Sequence, residues 1–189
     1  MVRSVCATCE VRAKFRVKMP CQPWGQTPSS RVLGHTVYGD IIGPLTKGRG
    51  GVAYVQCFVD SATRMGGAYK LRSTHSAGII RGIREWVGQY GKISVLVIDN
   101  VAYYCSNEVH SWCNSNGVEH KFVAPYRHES NGLVERYNRT LIDRLRKLRM
   151  AHGGSWVDYL GIAVNAINES VHRVMGFSPT DLWIETLEE

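Results

Sequence analysis

The chain has 189 residues, 44% of them hydrophobic, which is enough to form one well-buried soluble domain with short appendages. It has no apolar run as long as a membrane span and no secretory signal at its start, so we expect an intracellular protein with reduced thiols at its six scattered cysteines. The formal net charge of +7 favours a polyanionic partner, although charge alone does not establish nucleic-acid binding.

The first 34 residues have a different pattern from the rest of the chain. They are rich in arginine, lysine and proline and have no sustained periodicity, which is typical of an appendage and linker. Cys6 and Cys9 form a Cys-x-x-Cys pair in this part. A structural zinc site needs four ligands, so we expect no ordered zinc here unless Cys21 or a second chain contributes. We therefore place the domain boundary at 34, with the folded domain over 35–189.

Beyond the boundary, β-type runs and helical periodicities alternate along the chain. Apolar runs bounded by turn residues predict strands at 37–45, 52–59, 67–71, 93–98 and 119–123. Helical spacing predicts helices at 74–91 and 106–115, a long one from about 130 to the Gly153-Gly154 pair, and a last one over 156–171. Strands followed by alternating helices and strands, and then by helices, predict an α/β domain.

Three carboxylates have positions that predict a common site. Asp40 lies in the first predicted strand and Asp99 at the end of the fourth, and ligands gather at strand ends in open α/β sheets. The long helix presents an apolar stripe of Leu133, Tyr137, Leu141, Leu145 and Leu148. Glu135 lies in the first two turns of this helix, on a different face from the stripe, so it can face the two aspartates. Adjacent strands would bring Asp40 and Asp99 together.

Such a trio suits hard divalent cations. Magnesium prefers carboxylate oxygens, water and phosphate, and two ions about 4 Å apart can activate an attacking hydroxyl and stabilise a leaving oxygen. Without a cation, the three carboxylates would repel one another. The alternative for each residue is ordinary: an Asp after a strand often caps a turn, and a Glu in a first helical turn complements the helix dipole.

The segments around these carboxylates resemble the catalytic core of retroviral and LTR-retrotransposon integrases. The matching segments are 38–45, 95–100 and 131–141, and the resemblance runs in order from Val37 to Ile184, through Arg64, 125–126 and 176–179. It implies a ribonuclease H-like fold, an α/β domain with a five-stranded mixed sheet flanked by helices. It also implies that Asp40, Asp99 and Glu135 are catalytic and hold two Mg²⁺ or Mn²⁺ ions.

The implied reaction is phosphodiester transfer on DNA, comprising 3′-end processing and strand transfer of element DNA into target DNA. Two local departures from the family pattern keep other functions open. Val101 stands where the family usually has glycine, and His128-Glu129 stands where it usually has Pro-Gln. The alternatives are a catalytically inactive, element-derived DNA-binding protein and a ribonuclease H-like nuclease.

The resemblance also implies DNA-binding residues. Asn138 and Arg139 follow Glu135 at i+3 and i+4 and so share its helix face, and arginine can hold a phosphate with two donors. Tyr126 and Asn131 match a flexible loop that the family uses around DNA. The alternatives are a solvated basic helix face for Arg139 and a core aromatic for Tyr126.

The N-terminal cysteine pair resembles the second half of the family's His-His-Cys-Cys zinc module. Residues 1–34 are therefore predicted to be a remnant of that module, with Cys6 and Cys9 as an incomplete ligand set, in a fragment of a longer polyprotein or a decayed element. The resemblance further implies a homodimer or higher assembly, and a nuclear location with a cytoplasmic stage.

Overall fold

The computed structural model describes residues 32–98, 104–122, 132–173 and 175–188. These residues form a five-stranded sheet with helices on both faces. The strands are β1 (Thr36–Ile42), β2 (Tyr54–Asp60), β3 (Gly66–Leu71), β4 (Val95–Ile98) and β5 (Glu119–Phe122). The helices are α1 (Ser76–Tyr90), α2 (Asn107–Ser115), α3 (Gly132–His152), α4 (Leu160–Asn168) and α5 (Pro179–Glu188), with short 3₁₀ turns at Arg49–Gly51 and Trp156–Tyr159.

The strand order, β3-β2-β1-β4-β5, places β1 at the centre of the sheet. β1 pairs antiparallel with β2 and parallel with β4, and β4 pairs parallel with β5, so the mixed sheet predicted above is confirmed. Gly39 allows the close packing at this centre. A Cβ at Gly39 would lie 2.9 Å from Cε1 of Phe58 and 3.0 Å from Cγ2 of Ile98, so a larger residue would displace these side chains of the two neighbouring strands.

Each face of the sheet buries its own apolar core. One core joins the sheet to α3 and α4, and the other joins it to α1 and α2. The first includes Tyr38, Val55, Cys57, Val59, Val134, Tyr137, Leu141, Leu145, Leu160, Ala163 and Val164. The second includes Val37, Phe58, Ile79, Ile83, Trp86, Leu96, Ile98, Tyr104, Val109 and Cys113.

The long helix α3 determines which side chains can form a site. Its buried residues are Val134, Tyr137, Leu141 and Leu145, spaced at three and four residues, as an amphipathic helix requires. Three of them belong to the predicted stripe, while Leu133 and Leu148 are only partly buried at its edges. Glu135 lies outside this stripe and is exposed, as predicted.

The C-terminal part differs from the prediction of one helix over 156–171. The structure has a 3₁₀ turn and then α4, which ends at Asn168, and Val171 is 66% exposed rather than buried. The buried Asn168 side chain accepts a hydrogen bond from the Gly66 amide and donates one to the Gly66 carbonyl, which ties the end of α4 to β3. Apolar periodicity carries no information about this tertiary contact, so it extended the helix too far.

The sequence pattern also missed α5. The helix starts at Pro179, and Ser178 and Asp181 hydrogen-bond each other's side chain and backbone as a capping pair. The Ser-Pro-x-Asp sequence was a usable helix-start signal.

Among the described residues, no helix combines the length and apolar character that crossing a bilayer requires.

Candidate active site

Asp40 lies in the central strand, where its carboxylate is only partly buried. One oxygen, Oδ1, accepts a hydrogen bond from the backbone amide of Ile41 at 2.7 Å. The other, Oδ2, accepts one from the side-chain amide of Asn138 in α3 at 2.6 Å. These donors stabilise the ionised carboxylate and hold it between the sheet and α3.

The second predicted ligand, Asp99, lies outside the described residues. The parallel ladder between β1 and β4 is described up to the pair Gly39 and Ile98, which are the residues immediately before Asp40 and Asp99. Two neighbouring parallel strands therefore lead in the same direction into the two aspartates. The position of the Asp99 side chain itself stays a prediction.

Glu135 lies in the first turn of α3 and is exposed to solvent. Asn138, the residue that binds Asp40, follows it by three positions, so the two side chains lie on neighbouring turns of one helix face. The contact between Asn138 and Asp40 thus brings the helix face of Glu135 next to the central strand. The structure relates two of the three predicted carboxylates in this way.

The charge on Asp40 affects two buried groups near it. Burial raises the pKa of the Cys57 thiol, whose residue pairs with Asp40 across β1 and β2, and the negative charge of Asp40 raises it further. Burial also raises the pKa of the Tyr104 hydroxyl, and Asp40 adds to that increase although the hydrogen bond from Gln56 opposes it. Both groups stay neutral at physiological pH, so neither competes with the Asp40 carboxylate as an anionic ligand for a cation.

The oxygens around Asp40 suit a hard cation. Among the described residues no cluster of three or more His, Cys, Asp or Glu side chains forms a metal site, and Asp99 is not among those residues. The local donors are carboxylate and amide oxygens. Asn138 Oδ1 is buried and receives no hydrogen bond from the described residues, so an acceptor lies unused beside Asp40. Such oxygen donors match magnesium or manganese rather than a thiolate-binding metal.

The other predicted site residues divide into described and undescribed ones. Arg139 is described and exposed on α3, one residue beyond Asn138. Asn138 was predicted as a DNA contact, and the structure gives it a contact that the sequence did not predict, the hydrogen bond to Asp40. The remaining residues lie outside the described part of the chain: Tyr126, Asn131, Cys6 and Cys9, with Val101, His128 and Glu129.

Sequence reasoning also overlooked a polar pair next to this site. Gln56 is fully buried in β2, beside Cys57, and donates a hydrogen bond from Nε2 to the Tyr104 hydroxyl at 3.1 Å. One signal was available in the sequence, because a glutamine interrupts the apolar run of residues 54–59.

Comparison with known proteins identifies the class of this domain. The sequence model described as "Integrase core domain" matches residues 34–128. The chain belongs to this family, and it is an integrase catalytic core of the retroviral and retrotransposon type.

Curated relatives are polyproteins of transposons and retroviruses. The "Retrovirus-related Pol polyprotein from transposon TNT 1-94" of Nicotiana tabacum is 31% identical over 168 residues, which are 84% of this chain and 13% of the polyprotein. The "Pro-Pol polyprotein" of Simian foamy virus type 1 is 28% identical over 145 residues, or 77% of this chain and 12% of that protein. The chain thus corresponds to a small part of each relative.

Solved structures agree on the fold. A chain of the simian T-cell lymphotropic virus intasome, solved in complex with the PP2A regulatory subunit B56 gamma, superposes with a TM-score of 0.77 at 23% identity, covering 96% of this chain and 65% of that one. The HTLV-2 integrase catalytic core domain, solved with magnesium in a trimeric form, superposes with a TM-score of 0.69 at 19% identity. The match covers 80% of this chain and 97% of that one. The ribonuclease H-like fold predicted from the resemblance is confirmed.

Proposed function

We propose that this chain catalyses metal-dependent phosphodiester transfer on DNA, trimming the 3′ ends of an element and joining them to target DNA. The observation that carries the proposal is the hydrogen bond from Asn138 to Asp40. It places the helix face of Glu135 beside the central strand, while the β1–β4 ladder leads into Asp40 and Asp99.

In this proposal Asp40, Asp99 and Glu135 hold two Mg²⁺ or Mn²⁺ ions. Bound ions of this kind activate an attacking hydroxyl and stabilise the leaving oxygen. The residues supply position and charge: Asp40 is fixed by two donors, and exposed Glu135 approaches from the helix. Metal use by the HTLV-2 core, whose structure contains magnesium, is consistent with this assignment.

DNA is the proposed substrate, and α3 supplies part of its binding surface. Arg139 is exposed next to Asn138 and can hold a backbone phosphate. We assign Tyr126, Asn131 and a second contact of Asn138 to the same DNA by resemblance. The net charge of +7 supports a polyanionic substrate.

The proposal is tested by incubating the purified chain with labelled element-end oligonucleotides and Mg²⁺ or Mn²⁺. We expect joined products from the parent chain and a loss of more than about 100-fold in Asp40→Asn, Asp99→Asn and Glu135→Gln, which exceeds the usual cost of disturbing residues behind metal ligands. Full activity in any of the three variants contradicts its assignment as a ligand.

Glu108→Gln is the matched control. Glu108 is exposed in the first turn of α2, as Glu135 is in α3, so both complement a helix dipole. If Glu135 served only that purpose, both variants would lose a little stability and no activity. We expect only the Glu135 variant to lose joining.

The alternative functions give different results in the same assay. An inactive, element-derived DNA-binding protein forms a tight, metal-independent DNA complex without joined products, and Val101 is the residue that motivates this alternative. A ribonuclease H-like nuclease cleaves an RNA–DNA hybrid instead. Either result replaces the transferase proposal.

Assembly and location belong to the same proposal. Joining two DNA ends to one target requires two sites held together, so we propose a homodimer or higher assembly that acts in the nucleus after a cytoplasmic stage. The neighbouring HTLV-2 cores are solved in dimeric and trimeric forms. The division of the chain at residue 34 also stays a prediction.

A further inference from the structure

A cleft with a basic lining lies where the connection between β1 and β2 meets the end of α3. Its volume is about 430 Å³, and its walls are residues 46–49 of the connection, Arg149 of α3 and residues 154–156. Three of the lining side chains are cationic, those of Lys47, Arg49 and Arg149, and none of the described lining residues is acidic. We call this feature the basic cleft.

Hydrogen bonds between distant parts of the chain join the two walls of the basic cleft. Trp156 donates from Nε1 to the carbonyl of Thr46 at 2.8 Å, and the backbone amide of Arg49 donates to Ser155 Oγ at 3.1 Å. The backbone of the cleft is therefore fixed before a ligand arrives. A ligand that binds there does not have to order the walls, which reduces the free-energy cost of binding.

The cations of the basic cleft have little anionic compensation. Arg49 Nη1 lies 3.3 Å from Asp158 Oδ1, but the Arg49 side chain is 77% exposed, so this ion pair contributes little stability. Neither Lys47 nor Arg149 forms an ion pair with a residue that the structure describes. Like charges around one cleft repel one another, and a bound anion would remove this repulsion.

One face of α3 connects the basic cleft to the candidate active site. Arginines follow Glu135 at i+4, i+11 and i+14, which keeps them on its side of an α-helix. They are the exposed residues Arg139, Arg146 and Arg149. Glu135 and Arg149 lie near opposite ends of α3, roughly 20 Å apart along its axis at about 1.5 Å per residue. This separation corresponds to roughly six base pairs of B-DNA.

We propose that the basic cleft binds a backbone phosphate of DNA that lies along α3, roughly six base pairs from the carboxylates. This inference rests on the proposed function, which makes DNA the substrate. Arg149 can hold a phosphate with two parallel donors, and Lys47 adds a point charge from the opposite wall. The continuous basic face of α3 favours a long, regularly charged polyanion over a short acidic peptide. A phosphate contact sets affinity and register without reading sequence.

The test is the double variant Lys47→Gln with Arg149→Gln. Fluorescence anisotropy with a duplex of about 20 base pairs, in EDTA and at several salt concentrations, measures its DNA affinity. We expect the Kd at low salt to rise about tenfold, and the slope of log affinity against log salt to be smaller by at least about 1. Both side chains are exposed, so we expect a parental urea-unfolding free energy.

Arg84→Gln with Lys92→Gln is the matched control. Arg84 lies in α1, which packs on the other face of the sheet, and Lys92 follows that helix. Both residues are exposed, so this variant loses the same two charges without altering the basic cleft. A loss that came only from the lower net charge would be equal in the two double variants. We expect the control to keep the parental salt slope.

An NMR titration of the parent chain distinguishes the possible ligands. We expect a duplex to shift the amide signals of Gly48, Arg49 and Gly154 at concentrations where inorganic phosphate and a poly-glutamate peptide do not. Shifts with inorganic phosphate, together with a parental DNA Kd in the cleft variant, would define a site for a free anion and overturn the inference. Equal affinity for poly-glutamate would make the cleft an acidic-peptide surface and also overturn it.

The joining assay, run beside the binding measurements, separates this inference from the proposed function. A cleft variant that matches the control in Kd and salt slope overturns the inference even if the parent joins DNA. A cleft variant that loses DNA binding while the parent forms no joined products supports the cleft as a DNA site and overturns the proposed transfer reaction. A parent chain that binds no DNA overturns both.

Discussion

At the scale of single residues, Asp40 and Asn138 join the sheet to the helix that carries Glu135. A carboxylate on a central strand would be costly if it had no partner, and the amide of Asn138 provides one at 2.6 Å. The same bond links α3 to the central strand beside their shared apolar core. One hydrogen bond thus supports the ionisation of Asp40 and brings the helix face that carries Glu135 next to the central strand.

Asn138→Ala tests this contact. We expect strand transfer and Mn²⁺ affinity to fall by roughly 10-fold to 100-fold, because a hydrogen bond to a charged group contributes about 1.5–3 kcal/mol. Joining assays and EPR titration measure the two effects. Asn165→Ala, at an exposed asparagine of α4, is the control and should match the parent. Parental metal affinity in Asn138→Ala would show that the contact does not organise the site.

Arg139→Ala tests the phosphate contact. We expect weaker binding to every DNA sequence, and a slope of log affinity against log salt that is smaller by about 1, because one fewer phosphate is neutralised. Fluorescence anisotropy at several salt concentrations measures this. Arg84→Ala removes an equally exposed arginine from α1 and should leave the slope unchanged. Equal slopes in the two variants would assign Arg139 to the solvated surface.

At the scale of elements, periodicity identified the strands and most helices because burial dictates residue spacing. Ser106, the first residue of the helix predicted over 106–115, is the N-cap of α2, since its hydroxyl accepts a hydrogen bond from the Val109 amide at 3.3 Å. The end of α4 and the whole of α5 were missed, because a contact between Asn168 and Gly66 and a Ser-Pro capping pair define them. The end of α4 depends on a distant partner and the start of α5 on local capping groups, and hydrophobic spacing reports neither.

The candidate site was predictable to a similar degree. Asp40 and Glu135 could be placed from the strand and helix that hold them, and their flanking residues indicated the family. The hydrogen bonds from Asn138 to Asp40 and from Gln56 to Tyr104 could not be predicted from the sequence, because they join positions 98 and 48 residues apart. Only the fold brings such partners together.

The edge strand β5 contains a histidine that makes stability depend on pH. Burial, and to a smaller extent the nearby His110, lowers the pKa of His120 from its ordinary 6.5 to about 4. The unfolded chain therefore takes up this proton more readily than the folded chain. The free energy of unfolding has its full His120 contribution above about pH 6.5 and loses it as the pH falls toward 4.

His120→Gln should flatten this dependence. We expect urea-unfolding free energies of the variant to vary less than those of the parent between pH 6.5 and 4, since glutamine has no proton to gain. His110→Gln should keep most of the parental slope, because burial is the larger cause. A parental slope in His120→Gln would mean that other groups control acid stability.

At the scale of the whole molecule, the chain combines an integrase-family fold with a basic net charge of +7. The chain spans about an eighth of the length of its curated polyprotein relatives, at 13% and 12%. The activities of the complete polyproteins are therefore proposals for this chain. The fold suits the proposed reaction for a physical reason. The parallel strands β1 and β4 run in the same direction, so their carboxyl ends lie at one edge of the sheet, and the long basic helix α3 packs against β1.

The most direct measurement is a crystal of the chain soaked in Mn²⁺ and examined by anomalous diffraction. We expect two ions about 4 Å apart, coordinated by Asp40, Asp99 and Glu135. The same three carboxylates directed into separate regions, more than about 10 Å apart and without bound metal, would contradict the proposed active site.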